Sequence, residues 1–115
     1  MQPEYIYKAR ITNVVDGDTV DAEVDLGFTV SVHVRFRLYG IDTPELNSKI
    51  LEVREQAKQA KQFVVDRILN QDVIIETFKT DKYGRWLAKI AIDGQEINQL
   101  LVDNDLAIPY YGGVR

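Results

Sequence analysis

The run from Val30 to Glu45 constrains this chain more than any other. Val30, Val32, Val34, Phe36 and Leu38 alternate with Ser31, His33, Arg35 and Arg37. A period of two predicts a strand with one buried face. Gly40 breaks the alternation and Pro44 fixes the exit. Asp42 and Glu45 stand in that exit, with Arg37 a few residues behind. A cation and two carboxylates are therefore expected where a rigid strand meets a loop. Binding and catalytic groups gather at such places, because the scaffold positions them and the loop exposes them.

Further strands flank this one. Tyr5 to Val15 reads as a first strand, well covered because Ile6 interrupts its polar face. Asp16-Gly17 is a tight-turn signal. Asp18 to Leu26 reads as a second strand, with Val20, Ala22, Val24 and Leu26 on one face and Asp21, Glu23 and Asp25 on the other. Asp18 falls in phase with the apolar set, and a carboxylate there needs a partner. A bound cation is one answer; hydrogen bonds from turn amides are the plainer one. Gly27-Phe28-Thr29 turns the chain into the third strand.

Glu52 to Leu69 reads as a helix, because Ile50, Val53, Ala57, Ala60, Val64 and Ile68 recur at spacings of three and four. Its charged remainder reads as a solvated face. Val73 to Phe78 and Trp86 to Ile92 are a fourth and a fifth strand, joined by the loop Thr80–Arg85. A short second helix carries Ile97, Leu100, Leu101 and Asn104 on one face, and Leu106 to Tyr111 is extended. The order β-β-β-α-β-β-α predicts an α+β, mainly β fold. It is a five-stranded oligonucleotide/oligosaccharide-binding (OB) barrel, with one helix between strands 3 and 4 and a second after strand 5. The 115 residues suit one domain, taken as 1–115.

Composition narrows the chemistry. There is no cysteine, so disulfides and thiolate metal sites are excluded. Any metal must be bound by oxygen or by His33, which alternates with Ser31 and Arg35 and reads as solvent-facing. No apolar run reaches membrane-spanning length. The start, MQPEYIYKARI, lacks the basic and apolar stretches of a signal peptide, and localisation stays open. The net charge of −4 argues against a general nucleic-acid coat protein but not against a small site.

Asp18, Asp42 and Glu45, with Arg37 and Arg85, are a parts list for metal-assisted phosphodiester hydrolysis. Oxygen ligands from two turns suit a hard cation. Arginines grip phosphate by paired hydrogen bonds, and a free carboxylate can orient or deprotonate water. Each piece alone has a plainer reading. Asp-Gly-Asp is usually a turn, Arg85 beside a Tyr-Gly turn is usually a surface residue, and Trp86 reads as core.

Three blocks carry a resemblance: VVDGDTV at Val14–Val20, FRLYGIDTPE at Phe36–Glu45 and TDKYGRWLA at Thr80–Ala88. In their order and spacing, the chain resembles the staphylococcal nuclease (thermonuclease-like) family. The DGQEINQLLVDNDLA segment is similar to the family's stretch after the last barrel strand. The resemblance implies a Ca²⁺-dependent endo- and exonuclease acting on DNA and RNA, with single strands preferred, that leaves 3′-phosphates. It implies Asp18 and Asp42 as carboxylate ligands of Ca²⁺, Thr43 as a carbonyl ligand and Asp16 behind them. It implies Glu45 as general base or water-orienting group, and Arg37 and Arg85 as the phosphate clamp. Lys82, Tyr83 and Tyr111 would bind substrate.

The chain departs from the family pattern in four ways. Tyr110 and Tyr111 are adjacent after Pro109, the hairpin between Asp18 and Arg37 is longer, the loop after Glu45 has fewer lysines, and the chain is acidic. Weaker capture of long polyanions is expected. A monomer is expected, with no membrane partner. A non-catalytic nucleic-acid-binding OB module is the alternative, and a barrel that binds protein or another small ligand is a third reading.

Overall fold

β1 (Tyr5–Asp16), β2 (Thr19–Gly27) and β3 (Val30–Leu38) form the antiparallel meander that their alternation predicts. A computed structural model of the chain describes residues 5–110. After β3 come a two-residue strand β4 (Ile41–Asp42), helix α1 (Leu51–Ile68), β5 (Asp72–Phe78) and β6 (Trp86–Ile92). The described chain ends with β7 (Gln95–Glu96), helix α2 (Ile97–Asp103) and β8 (Ile108–Pro109). The helix α1 lies within one residue of its expected bounds.

The five long strands make a mixed barrel of the OB type. β5 pairs antiparallel with both β1 and β6, and the barrel closes where Phe36–Leu38 of β3 run parallel to Trp86–Ala88 of β6. β1 is bent by register shifts between Ile11 and Asn13 and between Val14 and Asp16, and such bulges let one strand serve two sides of a barrel. Ile11, Val20, Ala22, Leu38, Ile75 and Ile90 fill the interior with no exposure, as do Val64, Ile68, Ile97 and Leu101 from the helices. α1 packs on β1 and α2 on β6.

Several positions differ from the sequence expectation, for local reasons. Val30 and Val32 are 52% and 42% exposed although their alternation is regular. β3 reaches β6 only from Phe36 onward, so the outer half of the β2–β3 hairpin runs past the barrel wall. Leu26, on the same arm, is exposed too. Trp86 is not core: it opens β6 at the barrel rim and is 52% exposed. Tyr5 and Ile6 are exposed, so β1 is well covered only from Ala9. Ile50 caps α1 from outside and leaves the apolar face to Ala57, Ala60, Val64 and Ile68. In α2 the buried face is Ile97, Asn98 and Leu101, and Asn104 is exposed.

Asn98 is a polar residue placed to serve the backbone. Its side-chain oxygen accepts the Ile90 N–H at 3.2 Å, and its Nδ2 donates to the carbonyls of Tyr39 at 2.9 Å and Ala88 at 3.1 Å. One buried amide thus joins α2 to β6 and to Tyr39, the residue that follows β3. β4 in turn pairs with β8, and the Tyr110 N–H donates to the Gly40 carbonyl at 2.8 Å. These links hold one end of the barrel, where the polar residues converge.

Candidate active site

Arg37 is the centre of that end. It sits on β3 with 8% of its surface exposed. Its Nη1 donates to the carbonyls of Leu38 and Ile41, both at 2.9 Å. Its Nη2 donates to Asp42 Oδ1 at 3.1 Å and lies 3.5 Å from Asp18 Oδ2. Two carboxylates from separate turns therefore converge on one guanidinium nitrogen.

Asp18 is buried as well. Its Oδ2 accepts the Thr43 N–H at 3.3 Å and its Oδ1 accepts the Thr19 hydroxyl at 3.2 Å. Both plain partners and an arginine thus answer the demand set by its position. Burial alone would raise its carboxyl. The hydrogen bond with Asp16, the Arg37 charge and the Thr43 and Thr19 donors outweigh that and hold it low. Asp16 goes the other way. Burial, then its hydrogen bond and repulsion with Asp18, push it up to about 6. Its Oδ1 also accepts the Asp18 N–H at 3.1 Å.

The turn between these aspartates needs glycine for space. A Cβ on Gly17 would stand 2.8 Å from Ala60 Cβ of α1 and 3.0 Å from Thr43 Cγ2. The Asp16–Asp18 turn is thereby seated between the helix and the loop that carries Thr43. Thr43 is itself 6% exposed.

Arg85 reaches the same cleft from the other side. Its side chain is 51% exposed, and its Nε donates to Asp81 Oδ2 at 2.7 Å. Asp81 Oδ1 accepts the backbone N–H groups of Tyr83 at 2.9 Å and Arg85 at 3.0 Å. One carboxylate therefore shapes the Thr80–Arg85 loop and holds the guanidinium at Nε. Asp81 was not among the expected site residues; an aspartate four residues before an arginine across a Tyr-Gly turn is the signal that could have marked it. The Asp81 carboxyl is held low: burial opposes this, and the hydrogen bonds from Arg85 and Tyr83 prevail.

The resulting cleft, about 280 Å³, is lined by Asp16, Asp18, Arg37, Asp42, Thr43, Glu45 and Arg85 among others. Glu45 stands exposed at its edge. A second cleft of about 270 Å³ adjoins it and shares Arg37, Arg85 and Tyr110. It holds Lys82 and Tyr83, with Tyr39 and Leu87 as apolar walls. The Tyr83 ring stands 5.3 Å from Lys82 Nζ and 5.2 Å from the Arg85 Cζ. Tyr110 lines both clefts, 5.9 Å from the Arg37 Cζ. Tyr111 lies outside the described residues. The expected residues that are described thus fall into two adjoining clefts, with Asp18, Asp42, Thr43, Glu45 and both arginines in the first.

The donor set is all oxygen, which suits a hard cation such as Ca²⁺. Among the described residues no three His, Cys, Asp or Glu side chains gather closely enough to hold a metal by themselves. A cation at Asp18 and Asp42 would therefore draw on the Thr43 carbonyl and on water. The present residues fit such an ion in kind, and the convergence of both carboxylates on Arg37 marks where positive charge is favoured.

Fold and rim together define an OB-type barrel with a charged cleft at one end. The chain belongs to the staphylococcal nuclease family: the family model described as staphylococcal nuclease homologue matches residues 35–114. The chain is similar to the thermonuclease of Staphylococcus hyicus, at 32% identity over 85% of this chain and 56% of that protein. It is 33% identical to an uncharacterized protein of Methanocaldococcus jannaschii, over 90% of this chain and 56% of the other. Protein ParB of Escherichia coli is 29% identical over 75% of this chain and 42% of its own length. The chain spans about half the length of the curated relatives it matches. Among the described residues no helix is long and apolar enough to cross a membrane.

Proposed function

We propose that this chain is a Ca²⁺-dependent nuclease that hydrolyses phosphodiester bonds of DNA and RNA and leaves 3′-phosphates. The single observation that carries the reading is the meeting of Glu45, Arg37 and Arg85 with Asp18 and Asp42 in one cleft. Similarity to proteins named thermonuclease supports it.

Each residue has a distinct task in this reading. Asp18, Asp42 and the Thr43 carbonyl hold the cation, which when bound supplies positive charge against a phosphoryl oxygen. Glu45 faces solvent at the cleft edge, where it can take a proton from, or orient, an attacking water. The Nη edge of Arg85 and the Arg37 guanidinium stabilise charge that grows on the phosphoryl oxygens. Lys82 and Tyr83 contact the flanking nucleotide, as does Tyr111.

A second reading, a nucleic-acid-binding module without catalysis, draws on Arg37. Its guanidinium is already engaged by Asp42 and two carbonyls. Glu45→Gln separates the two. In the nuclease, turnover falls by orders of magnitude while nucleotide binding stays, because a base is lost and little structure. Binding of single-stranded DNA with no turnover in either protein would favour the module.

A further inference from the structure

Resting on the nuclease reading, we propose that the groove beyond Glu45 is a second nucleoside site. It takes the base and sugar on the far side of the scissile phosphate from the Lys82–Tyr83 cleft. The phosphate cleft has two neighbours. One is that aromatic cleft. The other is a wider groove of about 610 Å³ between α1 and the segment after α2, and it shares Asp42, Thr43, Pro44 and Glu45 with the phosphate cleft. The phosphate cleft thus shares walls with both neighbours, which share none with each other. A phosphodiester inside a chain carries a nucleoside on each side of phosphorus, and a phosphate cleft with a space adjoining each of two sides matches it.

The lining identifies the occupant. Val53, Leu106 and Ile108 give an apolar floor, and Gln56, Gln59 and Asn104 give an amide rim. The groove is thus a mixed surface, in which a short apolar strip lies beside a larger set of polar and acidic groups. Side-chain amides offer donors and acceptors together, which suits the edges of a nucleobase. Among the described residues lining the groove there is no Lys or Arg, whereas Asp42, Glu45 and Asp105 are present. A second phosphate would be repelled there; a neutral base and sugar would not. Lodging a base on such a floor requires it to leave its stack, which favours single-stranded substrates.

The test compares the parent with a Gln56→Ala/Gln59→Ala variant on two substrates. One is an oligothymidylate; the other is a thymidine p-nitrophenyl phosphate diester, which lacks base edges on one side of phosphorus. Both glutamines are exposed, so the variant keeps the fold. KM for the oligothymidylate should rise about tenfold, with hydrolysis of the p-nitrophenyl diester unchanged. Equal changes on both substrates, or no change on either, overturn the second site. Amide NMR titrations give a readout apart from turnover. Thymidylyl-thymidine should shift Gln56, Gln59 and Leu106, and thymidine 5′-phosphate should shift only Tyr83, Leu87 and their neighbours. A parent that binds thymidylyl-thymidine with only the latter group shifted overturns the second site and leaves the nuclease reading standing. A parent that binds neither probe overturns both.

Discussion

Arg37 and Asp42 are joined across the mouth of the barrel, Nη2 to Oδ1 at 3.1 Å, with side chains only 10% and 16% exposed. The same nitrogen stands 3.5 Å from Asp18. This guanidinium holds two acidic turns together as well as facing the cleft. Arg37→Ala should therefore cost about 3–5 kcal/mol, the usual loss when one partner of a buried pair is removed. Urea unfolding measures it. Ca²⁺ at millimolar concentration should raise the melting temperature of the variant more than that of the parent, since the cation would take over the neutralising role. Equal shifts would detach the carboxylates from cation binding.

Asn98 is the main internal brace of that end of the barrel. Asn98→Ala removes the acceptor of the buried Ile90 N–H and a donor from the Tyr39 and Ala88 carbonyls, of which Ala88 keeps the Tyr39 N–H at 2.8 Å; the expected loss is about 2–4 kcal/mol. Denaturant unfolding with an unchanged slope is the check. A loss within about 0.5 kcal/mol, the range of an ordinary surface change, would contradict the brace.

Asp16 predicts a pH effect of definite sign. Burial, then its contacts with Asp18, raise its carboxyl from 3.8 to about 6 in the folded chain. The proton therefore favours the folded state: its contribution is complete below the unfolded value and is lost as pH rises through about 6. Asp18 has the opposite sense, since its lowered carboxyl loses its contribution only in more acid solution. Asp16→Asn keeps an oxygen for the Asp18 N–H and carries no charge. Without divalent ions its melting temperature should gain on the parent's between about pH 4 and pH 6, between the unfolded and the raised carboxyl values. A constant difference across that range would refute the shift.

The Arg85 side chain is half exposed and is held at Nε by Asp81 and beside the exposed Tyr83 ring, so Arg85→Ala should leave the melting temperature nearly unchanged. It should lower turnover by roughly 10²–10³, the usual cost of one transition-state donor. Asp81→Asn should reproduce part of the loss, because it frees the guanidinium to wander, and should add little in the Arg85→Ala background. Unfolding of Arg85→Ala would make the arginine structural instead.

Most of the barrel was legible because alternation and helical spacing report burial along one element. Val14 to Val24 and the α1 face from Ala57 to Ile68 follow their patterns. The patterns failed where burial depends on a partner far away in the chain. Val30 and Val32 alternate correctly but extend beyond β6, and Trp86 begins a strand at the rim. The same holds in the site. Asp18, Arg37, Asp42 and Arg85 stood out as charges at strand ends, and the fold brings them together. Asn98 and Asp81 did not stand out, because their work is to satisfy backbone groups that only the tertiary pairing places beside them.

A nuclease must cut a phosphodiester bond in this cleft. The direct measurement is hydrolysis of single-stranded DNA with Ca²⁺, with Mg²⁺ and with chelator, using Glu45→Gln to control for contaminating nuclease. The expected result is cleavage with Ca²⁺ alone, ends that carry 3′-phosphate, and loss of both in the variant. Folded protein that cleaves in none of the three conditions, or a variant that cleaves as well as the parent, would contradict it.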